Sequence, residues 1–328
     1  MSVFELDNPD FDVPKARTVE RTTGAERVFT FLSSASALVT LVIVGATLIF
    51  LAHDGWPALR LTGLARFITS STWVPDAGVY GIGGLLTGTV LIAAISLSIA
   101  VPLSVGLALF INEYSPKRVR FFLVGAVDLL AALPSLIYGI WGLFALSGQA
   151  SKIARWLADH AGAIPLFRLT RPDAQLVSSG FIAGVVVAMM ITPIITSVAR
   201  DVMSQVPREL CEGALALGST KWGMIKAVIL PFGRGGIVGA SLLGFGRALG
   251  ETVAVAIVVS FSYKANTHVL ERGAGSIASL IFTKFGEAKS GEKSGLMAAG
   301  FALFVLTFVV SFIARRIVEQ SEAKAGLV

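Results

Sequence analysis

The sequence predicts an all-α integral membrane protein of about six transmembrane helices, and three observations carry that prediction. Of 328 residues, 54% are hydrophobic and only 15% are charged, against roughly 25% charged in soluble domains. Mean hydropathy is +0.77; in water such a chain would expose large apolar patches, whereas a bilayer accepts them. The apolar residues also gather in discrete runs near the length of about 20 residues that a spanning helix requires.

Residues 1–27 mix acids and bases without an apolar run, and are expected to form a polar cytoplasmic N-terminal arm rather than a signal peptide. The first transmembrane helix is expected over 28–52, a stretch longer than a signal h-region and long enough to cross about 30 Å of hydrocarbon. Five further runs occupy 85–111, 121–147, 178–199, 236–261 and 295–314. A bilayer interior has no water to satisfy backbone groups, so each run is expected to be helical. Pro102, Pro134 and Pro193 are expected to kink these helices rather than end them.

An even number of spans puts both termini on one side. Lys117, Arg118 and Arg120 crowd a short connection between the second and third runs, and the positive-inside rule places that connection, and both termini, in the cytoplasm. Segments 53–84, 148–177 and 262–294 are then external and available to an extracytoplasmic partner. The formal charge of +6 is scattered among loops, which fits this topology and argues against nucleic acid. Cys211 is the only cysteine, so no internal disulfide is possible, and His53, His160 and His268 fall in separate segments without a second ligand at metal spacing.

One cytoplasmic segment, 207–231, carries a pattern. Pro207 suits the first turn of a short helix and Gly218 its stop, with Leu210, Ala214 and Leu217 along one face. The segment reads Glu212, Gly213, Ala214, three residues, Gly218, nine residues, then Val228, Ile229, Leu230 and Pro231. It resembles the EAA loop of ABC importer permeases, whose pattern is Glu-Ala-Ala, three residues, Gly, nine residues, Ile-x-Leu-Pro. Gly213 and Val228 depart from it, each keeping a small or β-branched apolar residue. The resemblance implies a coupling helix seated in an ATP-binding subunit, two copies of which serve the complex. The alternative is an amphipathic helix lying on the membrane surface. The chain contains no Gly-Lys dipeptide, hence no GxxxxGK[ST] phosphate loop. No cofactor is therefore expected in this chain, ATP and Mg being held by the partner subunit.

The fifth run places Arg247 and Glu251 in an apolar span. A mid-bilayer Arg costs about 2.5–3.5 kcal/mol on insertion scales, so such residues face the bundle interior and serve function. Spacing i,i+4 on a helix lets them share a face and pair, and a guanidinium fork matches phosphate oxygens. Asp128 in the third run is a possible partner, in which case the pair is a structural salt bridge. Thr192, beside Pro193, is a candidate for lining the path, with Thr196 one turn on. The stretch Gly246 to Thr252, Ala132 to Gly139, and Asn112-Glu113-Tyr114 together resemble phosphate-specific (Pst) importer permeases of the PstC type, over roughly residues 80–315. That resemblance implies an ABC type-1 transmembrane domain over 80–318 and phosphate passage at Arg247 and Glu251. It also implies a sister permease in a heterodimer and an extracytoplasmic phosphate-binding protein. Sulfate or molybdate remains an alternative cargo. A secondary transporter is a third reading, which does not require the EAA spacing.

Overall fold

The computed structural model describes residues 24–324, and the side chains of 26–316. Most of the expected N-terminal arm lies outside the described residues. Its last four positions belong to the first helix, α1 (Gly24–Thr62), which runs ten residues past the expected end and contains Pro57. The portion of α1 before Phe50 forms a unit of its own, with apolar side chains such as Phe29, Leu41 and Ile49 exposed. A helix apolar all round suits lipid better than water.

The remaining chain, from Phe50, forms the second unit. After α2 (Leu64–Thr69), strands β1 (Trp73–Val74) and β2 (Val79–Tyr80) pair antiparallel, Trp73 opposite Tyr80. The next span is α3 (Gly83–Leu109), prolonged by one wide π turn over Phe110–Tyr114. Helices α4 (Lys117–Ala132), α5 (Ser135–Trp141) and α6 (Ser147–Ala161) follow. Then comes α7 (Gly180–Ser204), a span whose N-cap Ser179 accepts from the Ile182 amide. Short helices α8 (Arg208–Ala216) and α9 (Lys221–Met224) lead through a π turn over Ile225–Ile229 to α10 (Leu230–Leu249), and α11 (Val253–Val258) follows after a break. α12 (Ile277–Lys284) opens with a capping box on Ser276, and α13 (Ser290–Lys324) closes the described chain.

Five helical stretches are long and apolar enough to cross a bilayer, and the bent pair Lys117–Ala132 and Ser135–Ala161 makes a sixth if counted as one span. That pair corrects the expectation for Pro134. Pro102 and Pro193 lie inside continuous helices, but at Pro134 the chain turns by 94°. The cause is local. Proline disfavours the helical region for the residue before it, and Leu133 is extended, with φ −66° and ψ 135°. In α4 only Val127 is buried, so little packing opposes the break. The buried Pro193, by contrast, sits in a helix of which most residues are buried, and the Ser104 hydroxyl donates to the Thr192 carbonyl at 3.0 Å.

The main core gathers Ile92 and Ala93 from α3, Ile182 to Ile195 from α7, Ala240 to Leu249 from α10, and Ala254 to Val258 from α11. Without a hydrophobic drive between helices in lipid, close approach and hydrogen bonds carry the association. Ser96 accordingly donates to the Gly184 carbonyl at 3.0 Å, joining α3 to α7. A Cβ on Gly244 would come within 2.5 Å of Ile195, so α10 meets α7 only because that position is bare. The end of α1 is fixed to α13 through Ser294, whose hydroxyl donates to the Asp54 carbonyl at 2.6 Å while accepting from the Ala58 amide at 3.3 Å.

At Gly88 a Cβ would lie 2.1 Å from the Gly275 carbonyl oxygen, a backbone atom that cannot swing aside. Gly88→Ala is expected to destabilise the bundle by about 1–3 kcal/mol, the usual cost of overpacking. Thermal unfolding of the detergent-solubilised variant beside Gly106→Ala, where nothing lies within 4 Å, measures it.

Candidate functional site

The segment 207–231 folds as a helix, a turn and a second helix. Pro207 is the N-cap residue of α8, its carbonyl accepting from the Leu210 amide at 3.2 Å. Gly218 adopts φ +84°, a left-handed conformation that glycine enters without steric cost. There the Gly218 amide donates to Leu215 at 2.9 Å and the Ser219 amide to Ala214 at 3.2 Å, closing the helix. Thr220 starts α9 by accepting from the Gly223 amide at 3.0 Å.

The inward face of α8 differs from the one expected. Cys211 and Ala214 pack on a small core of Leu109, Met203, Val206, Met224, Ile225 and Ile229. Leu210 and Leu217 point away from it, Leu217 being 91% exposed. Ala214 thus belongs to the buried side, while the outward side presents Leu210, Glu212, Gly213, Leu215, Leu217 and Gly218. Leu230 and Pro231 lie in the first turn of α10, Leu230 half-buried and Pro231 exposed. An exposed apolar set on a nine-residue helix is what a partner groove needs.

Two contacts fasten this loop to the bundle. The Lys221 ammonium donates to the Glu113 carbonyl and sits 4.7 Å from the centre of the Tyr114 ring. One residue earlier, Asn112 Nδ2 donates to the Arg200 carbonyl of α7 at 2.8 Å, and Asn112 Oδ1 accepts from Arg120 of α4 at 3.1 Å. Asn112 therefore joins the ends of α3, α4 and α7. The sequence flagged Asn112-Glu113-Tyr114 without a role; a polar triplet closing a long apolar run is the signal that marks it.

The second group of residues surrounds the two helix breaks. Arg247 lies in the last turn of α10 and is exposed on this chain. Glu251 falls in the break before α11, is only 6% exposed, and its Oε1 accepts from the Ala254 amide at 3.0 Å. This corrects the shared-face expectation. With α10 ending at Leu249, Arg247 and Glu251 are not one turn apart on a helix, and no ion pair joins them among the described residues. Glu251 caps α11 instead. Asp128 stands exposed on α4, without an ion-pair partner among the described residues. Thr192 is half-buried, its hydroxyl donating to the Ala188 carbonyl at 2.7 Å, and Thr196 is fully buried with its hydroxyl unsatisfied.

The helices that follow the two breaks meet. A Cβ on Gly139 of α5 would lie 2.9 Å from the Ala254 Cα of α11. Tyr138, beside it, donates its hydroxyl to the Leu130 carbonyl at 2.8 Å, bridging α4 and α5 across the elbow. Unwound backbone at membrane depth is tolerated where protein buries it or where it lines a cavity, and paired broken helices are a recurring way of building ion sites in transporters.

Residues 100–323 match the family described as the binding-protein-dependent transport system inner membrane component. A protein of Xylella fastidiosa (strain 9a5c) named phosphate transport system permease protein PstC is 40% identical over 90% of each chain. This chain belongs to the binding-protein-dependent permeases, in their PstC branch. Another PstC permease of the branch, from Haemophilus influenzae, is 37% identical over 95% of this chain and 99% of its own. A chain of a bacterial alginate ABC transporter, crystallised with a pentasaccharide-bound periplasmic protein, superposes with a TM-score of 0.57 at 17% identity, covering 90% of this chain and 95% of that one. That likeness concerns the fold, which is the type-1 permease fold of ABC importers. The permease is a multi-pass membrane protein.

Burial raises the Cys211 thiol above its ordinary pKa, and the carboxylates of Glu113 and Glu212 raise it further. Only the thiolate is reactive, so labelling of Cys211 by iodoacetamide is expected to be slow near neutral pH and to climb at alkaline pH. Glu212→Gln removes one of the repelling charges and should move that rise to lower pH; the pH profile of the labelling rate checks it.

Proposed function

We propose that the chain is the permease subunit of an importer that carries inorganic phosphate across the cytoplasmic membrane, driven by ATP hydrolysis on a separate nucleotide-binding subunit. Identity of 36–40% along most of the chain to relatives named phosphate transport system permeases carries this reading. Those names favour phosphate over sulfate or molybdate as cargo.

In this reading α8 is the coupling helix. Its outward residues, Glu212, Gly213 and Gly218 among them, enter a groove of the ATP-binding subunit, with Ala214 packing the helix to the bundle and Leu230 and Pro231 starting the span behind it. The missing Gly-Lys dipeptide supports a division of labour in which ATP and Mg belong to the partner. Both termini and α8 are cytoplasmic, consistent with Lys117, Arg118 and Arg120 at the start of α4. A sister permease completes the pathway as a heterodimer, two ATP-binding subunits drive it, and an extracytoplasmic phosphate-binding protein delivers the anion. The words binding-protein-dependent in the family description favour that last partner.

Arg247 is the residue assigned to the anion. It stands at the C-terminal end of α10, where the helix dipole favours a cation, and its guanidinium has no ion-pair partner among the described residues, leaving a fork for phosphate oxygens. Glu251 shapes the path by holding the start of α11, and Thr192 and Asp128 border it.

Arg247→Gln is expected to lower phosphate uptake at least about tenfold, the equivalent of one charge-assisted hydrogen bond, while the complex still assembles. Normal uptake of labelled phosphate in that variant excludes the role. Glu212→Ala combined with Gly218→Pro should release the ATP-binding subunit on purification. Phosphate transport by the isolated chain without ATP would overturn the importer reading.

A further inference from the structure

Helices α3 and α7 run side by side in one direction. Ser96 donates to the Gly184 carbonyl, Ser104 to the Thr192 carbonyl and Asn112 to the Arg200 carbonyl, each across 88 residues of sequence, and only parallel helices keep such an offset constant. The N-terminal ends of both helices therefore lie at one end of the bundle, the end opposite α8. Two hollows of opposite charge open there.

The first, of about 750 Å³, is walled by α6, the segment before α7 and the loop between α11 and α12. Lys152, Arg155 and Arg272 face one carboxylate, Asp173. In the adjoining hollow Arg171 adds a further cation, and Glu271 is occupied by the amide and hydroxyl of Thr170. Arg155 donates through Nη1 to the Pro172 carbonyl at 2.8 Å and through Nη2 to the Ala174 carbonyl at 3.3 Å, and Arg272 through Nη1 to Gln175 Oε1 at 2.8 Å. These partners are neutral, so the positive charge is positioned without being cancelled. The side chains of Lys152 and Asp173 make no hydrogen bond or ion pair among the described residues.

The second hollow, of about 350 Å³, lies between the β1–β2 turn and the start of α13 and sets Asp76, Glu287 and Glu292 against one cation, Lys289. Glu292 Oε1 accepts from the Trp73 indole at 3.3 Å. None of the three carboxylates is in an ion pair among the described residues.

One loop joins the two hollows. Between α11 and α12, the Ser260 amide donates to the Ser178 carbonyl at 3.2 Å and the Arg272 amide to the Gln175 carbonyl at 2.7 Å, on the basic side. Tyr263 of the same loop stacks on Trp73 with ring centres 6.2 Å apart, on the acidic side. The loop is seated on α3 at Gly84, where a Cβ would lie 2.1 Å from the Tyr263 carbonyl oxygen. Charges of both signs thus stand on one fixed platform.

We propose that this platform is a two-point docking surface for the extracytoplasmic binding protein, which presents a carboxylate to the hollow of Lys152, Arg155 and Arg272 and a cationic side chain to the hollow of Asp76, Glu287 and Glu292. The inference rests on the importer reading above and on its topology, which puts this end outside. Complementary charge steers encounter and fixes register, and two fixed points of opposite sign admit one orientation of the partner. A free anion or an anionic lipid headgroup would be drawn to the first hollow and repelled by the second. A folded protein satisfies both at once.

The test measures association of the purified, phosphate-loaded binding protein with the whole transporter in nanodiscs, at low and high salt. Lys152→Glu and Glu287→Lys change exposed side chains without hydrogen bonds or ion pairs among the described residues. Each is expected to slow association about tenfold at low salt, with the difference shrinking at high salt, whereas Asp173→Asn should speed it. The double variant with Lys152→Glu and Glu287→Lys has the wild-type net charge, yet it is expected to be slower than either single variant because each hollow meets its own partner group. Unchanged association in both single variants overturns the proposal. So does recovery in the double variant, which would reduce the effect to net charge, and so does a loss of phosphate uptake with association intact. A wild-type transporter that binds no phosphate-binding protein would fell the importer reading and this inference with it, whereas wild-type binding that the variants leave unchanged fells this inference alone.

Discussion

A backbone amide or carbonyl that loses its helical partner inside a bilayer has to find another within the protein, and the rest of this structure depends on how that is done. Where the chain breaks at Pro134, the Tyr138 hydroxyl takes up the Leu130 carbonyl. Where it breaks after Leu249, the Glu251 carboxylate takes up the Ala254 amide. Each repair comes from a side chain beside the break itself. The helices that restart after the two breaks then pack on each other at Gly139 and Ala254.

The packing around those helices follows from the same solvent. Lipid gives helices no reason to associate, so contact is made by bare positions such as Gly244 against Ile195 and Gly88 against the Gly275 carbonyl, with serine hydroxyls spanning α3 and α7. α7 is the shared member. It meets α3 along one side and α10 along another, and its C-terminal end is tied to Asn112 at the end of α3 through the Arg200 carbonyl. Pro193 bends nothing sharply because both neighbours enclose it.

The loop was legible in the sequence because its chemistry is local. Pro207 at the start, Gly218 at a left-handed stop and fixed spacing to Pro231 depend on residues within a few turns of one another. The face of α8 was harder to read: a helix of nine residues offers two apolar sides, and only tertiary packing shows that Cys211 and Ala214 turn inward. The helix breaks were not legible either. Three prolines look alike in sequence, and what separates Pro134 from Pro102 and Pro193 is the packing of the helix around it. The expected pairing of Arg247 with Glu251 failed for a related reason. Spacing of four is informative only along a continuous helix, and nothing in Gly250-Glu251-Thr252 announces a gap apart from one glycine among many.

The hold that Asn112 and Lys221 exert on the end of α3 has a mechanical meaning. A load applied to α8 passes through α9 to the backbone of Glu113, and thence into one wide turn already clamped to α4 and α7. The loop is thus a handle with its pivot at Phe110–Tyr114, and α3 is the shaft on which torque would arrive. Single π turns inside α-helices are frequent at functional sites, and this one lies where the loop is tied on, outside the length of α3 interlocked with α7.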